Sequence, residues 1–276
     1  MTLQTALAQG TALLDDSGIP AARLTAEVLL GFALQKEREF LYAHSGDELT
    51  ENGWIHYGRY LHQRLGGMPT QYITGRQEFY GREFRVTPDV LIPRPETEHL
   101  VEAALERISP GDTVLDVGTG SGAVAVTLAR ERPGGHFLAS DISEPALRVA
   151  AANAKRYDAR VAFVCADLTA PFAAASVDML VSNPPYVPLA GAEGLQREVR
   201  DYEPKVALFG GETGTEIYWR LASDALRVLR PGGWMLVELG YNSEERVRAM
   251  LDGHWTNVQS GPDLAGIPRV LAARKV

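Results

Sequence analysis

The sequence predicts an α/β protein: a mainly parallel sheet with helices on both faces, preceded by a small helical domain and a β-hairpin linker. Three observations predict it. From Asp112 onward, short apolar runs alternate with helical patterns. The early strands in that stretch end in a glycine-rich turn or an acidic residue. Before Met68, apolar residues recur at helical spacing and no β-prone run appears.

Residues 1–68 are expected to be helices. Leu3, Leu7, Leu13 and Leu14 fall on one helical side, Ala22–Leu34 is rich in Ala and Leu, and Trp54, Tyr57, Leu61 and Leu65 recur at helical spacing. Trp54 and its neighbours are read as core. Residues 69–92 hold short β-prone pieces around Gly75 and Gly81, which fits a hairpin linker. Leu91–Glu98 then opens a helix with prolines and acids, ordinary helix-start signals. They leave Arg94, held between two prolines, unexplained.

Residues 93–276 form the second domain. Strands are expected at Thr113–Val117, His136–Ala139, Val161–Ala166, Val177–Val181 and Trp234–Leu239, with two closing strands at Thr256–Gln259 and Arg269–Ala273. Helices are expected at Ala123–Arg130, Pro145–Lys155, Thr215–Leu229 and Ser243–Leu251, and a turn at Pro231–Gly233.

Composition narrows the functions. The chain has 276 residues and a formal charge of −8, without a run of Lys or Arg, which argues against an extended basic nucleic-acid surface. Cys165 is the single cysteine, so no intrachain disulfide forms, and its apolar run makes it a buried strand residue. The six histidines make no ligand pair at metal spacing, and no metal is expected. Met1–Gly18 lacks the pattern of a signal peptide, and no uncharged run is long enough to span a bilayer. A cytoplasmic location is the expectation.

The chemistry gathers at strand ends. Gly118-Thr119-Gly120-Ser121-Gly122 follows the first strand, where glycines let a ligand approach the backbone. The spacing is not that of a dinucleotide pyrophosphate site. Asp116 precedes the loop. Asp141 ends the second strand, about 20 residues on, where an acid binds ribose hydroxyls. Asp167 ends the third, placed to accept from an adenine amine. An adenosine without pyrophosphate is predicted, and S-adenosylmethionine fits.

Asn183-Pro184-Pro185-Tyr186 follows the fourth strand. Alone it is a stiff proline turn. At the carboxyl edge of the sheet it becomes a holder for a planar NH₂ group. The Asn183 side-chain oxygen and the Pro184 carbonyl accept the two hydrogens, and Tyr186 lies on the flat face.

With these motifs the chain resembles the amino-group methyltransferases that use S-adenosylmethionine. Pro69–Gly75, Ile92–Glu98, Tyr202-Glu203-Pro204 with Ala207-Leu208, and Asp263–Gly266 with Arg269-Val270 are similar to the HemK/PrmC family of release factor glutamine methyltransferases. The resemblance covers nearly the whole chain and is weakest in the N-terminal helices. It implies a seven-stranded class I methyltransferase domain, a helical domain that recognises the release factor, and a monomer. It implies methylation of the glutamine side-chain nitrogen in the Gly-Gly-Gln loop of release factors, leaving S-adenosylhomocysteine. By position, Gly118–Gly122, Asp141, Leu168 and Asn183 would contact the methyl donor. Asn183, Pro184, Pro185 and Tyr186 would hold the glutamine. Arg94 and Glu96 are candidates for the glutamine pocket or the methionine end of the donor. Leu168 stands where relatives carry an aromatic residue, and Gly211–Thr215 departs from the usual pattern. The rival readings are a ribosomal-protein glutamine methyltransferase, a nucleic-acid amino methyltransferase and a non-catalytic adenosyl-binding module.

Overall fold

The computed structural model describes residues 1–263 and 265–276. Leu264, within the Asp263–Gly266 motif, lies outside the described residues. The chain forms two compact units, Met1–Gly75 with Gln196–Tyr202, and Arg76–Leu195 with Glu203–Val276.

The first unit holds α1 (Leu3–Asp16), α2 (Ala22–Leu34), α3 (Arg38–Ala43), α4 (Glu51–Leu65) and α5 (Thr70–Thr74). Thr2 and Thr50 start α1 and α4 by accepting from the N–H groups of Thr5 and Gly53. Leu7, Leu14, Leu29, Leu30, Tyr57 and Leu61 fill its core. Trp54, expected in the core, and Leu13, expected on the same helical side as Leu14, lie outside it. Leu13 is 50% exposed and Trp54 39%, because the inward stripes of α1 and α4 run through Leu14 and Tyr57 instead. Gln196–Tyr202 joins this unit although it lies far along the chain. Glu198 pairs with the buried Arg64 at 2.5 Å, and Arg197 and the Tyr202 hydroxyl both donate to the Gly66 carbonyl.

The second unit begins with the hairpin β1 (Arg76–Phe79) and β2 (Arg82–Arg85), followed after a short 3₁₀ turn (Pro95–Thr97) by α6 (Glu98–Leu105). The hairpin is part of this unit's core. Phe79 and Phe84 are buried with Leu100 and Val124. Asn153 accepts from the Arg85 N–H at 2.8 Å and donates to the carbonyls of Arg85 and Ser121. The Tyr157 hydroxyl donates to the Glu83 carbonyl.

Strands and helices then alternate: β3 (Thr113–Val117), α7 (Ala123–Glu131), β4 (His136–Asp141), α8 (Glu144–Arg156), β5 (Val161–Cys165), β6 (Val177–Ser182). Two short strands, β7 (Val187–Pro188) and β8 (Phe209–Gly211), pair with each other in parallel. Between them lie α9 (Arg197–Tyr202) and α10 (Lys205–Leu208). The chain closes with α11 (Glu216–Val228), β9 (Leu229–Glu238), α12 (Glu244–Arg248), β10 (Trp255–Pro262) and β11 (Pro268–Lys275).

The sheet has seven strands in the order β10-β11-β9-β6-β3-β4-β5. β5, β4, β3, β6 and β9 are parallel, and β11 runs antiparallel to β9. Period-two alternation divides the core. Val114, Met179, Val181 and Leu236 face one layer, with α6 and α7; Leu115, Leu180, Met235 and Val237 face the other, with α11. Strand order reverses at β3, whose neighbours are β4 and β6, so a crevice opens there at the carboxyl edge.

Two expectations change. Pro231–Gly233 is not a turn before a strand but a bulge inside β9, where pairing with β6 skips from Leu229 to Trp234. Cys165 is exposed rather than buried, because it is the last residue of β5, an edge strand of the sheet.

Candidate active site

The first wall of the crevice is the loop after β3. Gly118, Gly120 and Gly122 all have positive φ, which turns the chain sharply into α7. Asp141 locks the turn, because one carboxylate oxygen accepts from the Gly120 N–H at 2.8 Å and the other from the Ser143 N–H at 2.9 Å. Burial pushes the Asp141 carboxyl up, opposed by the N–H groups of Ser143, Gly120 and Ile142. Asp116 is 2% exposed. Its Oδ2 accepts from the Thr119 hydroxyl at 2.7 Å and the Ala125 N–H at 3.2 Å, while no described group donates to its Oδ1. Burial pushes this carboxyl up to about 7, against those two hydrogen bonds.

Two adjoining cavities share Leu91, Gly118, Gly120 and Asn183. The wider, about 290 Å³, runs between Asp141 and Ile142 on one side and Leu168, Phe209 and Ile217 on the other. Leu168 sits at φ +49°, an unusual backbone for a leucine, with its carbonyl held by the Ser140 hydroxyl at 3.0 Å. Asp167 lies at the rim, half exposed and paired with Arg220 at 2.7 Å. The narrower cavity is bounded by Asp116, Ser121, Arg94 and Thr97.

Asn183 follows β6, which pairs directly with β3, so the Asn-Pro-Pro-Tyr loop faces the glycine loop across the switch point. The Asn183 Nδ2 donates to the Thr97 hydroxyl oxygen at 3.1 Å, and that hydroxyl donates to Glu238 Oε2 at 2.6 Å. Among the described residues nothing donates to Asn183 Oδ1 or to the Pro184 carbonyl. Both predicted acceptors are therefore unpaired. Tyr186 is half-buried, and burial pushes its phenol up to about 12, so the ring stays neutral. Gly210 and Gly214 explain the loop whose role the sequence left open. A Cβ on Gly210 would lie 2.4 Å from the Pro185 carbonyl oxygen, and one on Gly214 2.3 Å from that of Tyr186.

Arg94 lines the narrow cavity and is held by the buried Glu203, at 2.5 Å, which also accepts from the Ile92 N–H. Glu96 forms the first turn beside Thr97 and borders neither cavity. Sequence reasoning missed Thr97, Glu203 and Glu238. Thr97 lies in Ile92–Glu98 and Glu203 in Tyr202-Glu203-Pro204, and Glu238 ends an apolar strand, which is itself a signal: an acid there is costly unless something uses it. Among the described residues no cluster of His, Cys, Asp and Glu could hold a metal ion, and no helix is long and apolar enough to cross a membrane.

This strand order, with a glycine loop and strand-end acids gathered at the switch point, is that of a class I methyltransferase. A methyltransferase from Pyrococcus furiosus shares the fold at TM-score 0.54 and 18% identity, over 71% of this chain and 90% of its own. So does the E. cuniculi Mtq2–Trm112 complex, responsible for methylation of the eRF1 termination factor, at TM-score 0.50 and 24% identity over 68% and 99%. Residues 5–75 match the PrmC N-terminal domain model and residues 96–194 the methyltransferase small domain model. The release factor glutamine methyltransferase of Koribacter versatilis is 48% identical over 100% of this chain and 99% of its own. That of Moorella thermoacetica is 42% identical over 99% and 98%. The chain belongs to the release factor glutamine methyltransferase family.

Proposed function

We propose that this protein transfers the methyl group of S-adenosylmethionine to the side-chain nitrogen of the glutamine in the Gly-Gly-Gln motif of peptide chain release factors. One observation carries the reading: Asn183 Oδ1 and the Pro184 carbonyl are adjacent, unpaired acceptors beside a crevice suited to adenosine. A carboxamide NH₂ has two hydrogens to satisfy them.

The residues fit the methyl donor. Gly120 has open space where a Cβ would be, so its backbone can meet a ligand. Asp141 faces ribose hydroxyls, Leu168, Ile142 and Phe209 offer apolar contact to adenine, and Asp167 stands at the adenine end. Asp116 Oδ1 and Arg94, in the narrow cavity, suit the ammonium and carboxylate of the methionine part. When bound, the donor supplies a methyl group already activated on a sulfonium.

The protein's own work is positioning and electrostatics. An amide nitrogen is a weak nucleophile because its lone pair is delocalised. Asn183 and Pro184 accept its two N–H groups, aim the nitrogen across the switch point and stabilise the positive charge that grows on it. Pro185 fixes the backbone, and Tyr186 lies on the amide plane. The proton leaves once the nitrogen carries the methyl, when it is strongly acidic, so no dedicated base is required. Residues 1–68 recognise the release factor, and the enzyme works as a cytoplasmic monomer.

Methyl-labelled donor, incubated separately with release factor, ribosomal protein and DNA, tests this. Label on the Gly-Gly-Gln glutamine of the release factor is expected, and none on a factor with that glutamine changed to alanine. Label on ribosomal protein or DNA alone, or on nothing, refutes the reading.

A further inference from the structure

We infer that Thr97 and Glu238 are positioning residues that set which way the Asn183 carboxamide faces, so that ionisation of one buried carboxyl switches the acceptor on. The inference rests on the glutamine-methylation reading for its kinetic consequence, but its geometry stands apart from it.

The chain of contacts is Asn183 Nδ2 to Thr97 Oγ1 at 3.1 Å and Thr97 Oγ1 to Glu238 Oε2 at 2.6 Å. Thr97 is 5% exposed and Glu238 3%. A hydroxyl has one proton. An ionised Glu238 only accepts, so it commits that proton. The Thr97 oxygen then presents lone pairs alone to Asn183, and only the NH₂ edge of the carboxamide can meet them. Oδ1 is left for the substrate.

A protonated Glu238 reverses the direction. Its O–H donates to Thr97, the Thr97 proton turns to Asn183, and the carboxamide rotates to offer Oδ1 to it. Every internal hydrogen bond is kept. The NH₂ now faces the substrate NH₂, donor against donor, and one acceptor is lost. The switch therefore needs no backbone movement.

Few groups around Glu238 hold it in one state. Arg269 is engaged by Asp263 at 2.8 Å and Arg94 by Glu203 at 2.5 Å, so neither is its direct partner. Glu96 repels it. Tyr186 and Tyr218 are neutral phenols, and the Tyr218 hydroxyl donates to the Glu238 backbone carbonyl rather than the carboxylate. Burial dominates and pushes the Glu238 carboxyl up to about 7, against the Thr97 hydrogen bond.

The test has two readouts on the full-length protein. With saturating methyl donor and release factor, kcat of the wild type should fall about tenfold per pH unit below roughly pH 7. KM for the donor should not follow the same limb. Asp116 also titrates near there, but it lies at the donor and acts on KM. Glu238→Gln should flatten the kcat profile, because its amide does not ionise. Thr97→Ser should keep both the rate and the limb, whereas Thr97→Val should lose roughly tenfold or more in kcat and the limb with it. The second readout needs no turnover: the Asn183 side-chain NH₂ signals in ¹⁵N-labelled protein should shift with pH around 7 in the wild type and not in Glu238→Gln. A limb that persists in Glu238→Gln, wild-type kcat in Thr97→Val, or Asn183 signals indifferent to pH overturns the inference. A wild type that labels no release factor sinks the methylation reading, and the NMR titration still decides the relay.

Discussion

Gly120 and Gly122 lie two residues apart in one loop and are glycine for different reasons, which alanine substitution separates. At Gly122, φ is +80°, and a Cβ would stand 3.0 Å from the Ala150 Cβ and 3.2 Å from its Cα. The left-handed backbone costs an alanine about 1–2 kcal/mol, and pressing a methyl against the α8 backbone adds about 1–3 kcal/mol. Helix α8 is poorly placed to yield, because Asn153 ties it to the Ser121 carbonyl and to Arg85. Gly122→Ala should therefore lose about 2–5 kcal/mol of stability in urea unfolding. Adding Ala150→Gly should relieve only the contact with the Ala150 Cβ, offset by the roughly 1 kcal/mol that a glycine costs inside α8. At Gly120, φ is +54° and a Cβ meets nothing within 4 Å, but it would project into the crevice. Gly120→Ala should lose about 1–2 kcal/mol of stability, while its affinity for S-adenosylmethionine falls roughly 10- to 100-fold by calorimetry. If Gly122→Ala unfolds like wild type, or Gly120→Ala binds the donor normally, the assignment of one glycine to packing and the other to the ligand is wrong.

Asn183→Ala should lower kcat about 10²–10³-fold, the scale for one lost transition-state hydrogen-bonding group, with donor binding largely kept, as separate kinetics and calorimetry would show. Asp141→Asn keeps one acceptor oxygen where two are used, so it should cost about 1–3 kcal/mol of stability and at least roughly tenfold in donor affinity, read by urea unfolding and titration. Asp116→Asn should stabilise the protein at high pH. Burial pushes the folded carboxyl from its ordinary 3.8 up to about 7, so wild-type stability is lost as pH rises from about 4 through 7. Both hydrogen bonds reach one oxygen, which an asparagine can supply. The variant should gain about 2–4 kcal/mol at pH 8, and the gain should vanish below about pH 4. Equal urea midpoints at pH 8 would refute it.

The sequence by itself determined the alternating α/β architecture, the glycine loop, the acids at the strand ends and the Asn-Pro-Pro-Tyr loop. Each is written in near neighbours, through period-two or helical spacing and through residues whose backbone limits are intrinsic, such as glycine and proline. Tertiary structure alone decided what the Asn183 side chain meets. Thr97 reads locally as a helix start, and its carboxylate partner is 141 residues away. Glu203 and Arg94 are 109 apart. Exposure was also a matter of assembly. Cys165 reads as an apolar strand residue, yet it ends a strand that the sheet leaves at one edge. Leu13 and Trp54 have helical spacing, but which side of a helix turns inward depends on what packs against it. Local pattern names the groups a chain can offer. Which partners those groups meet depends on hydrogen bonds between strands and turns that come together only when the sheet is complete.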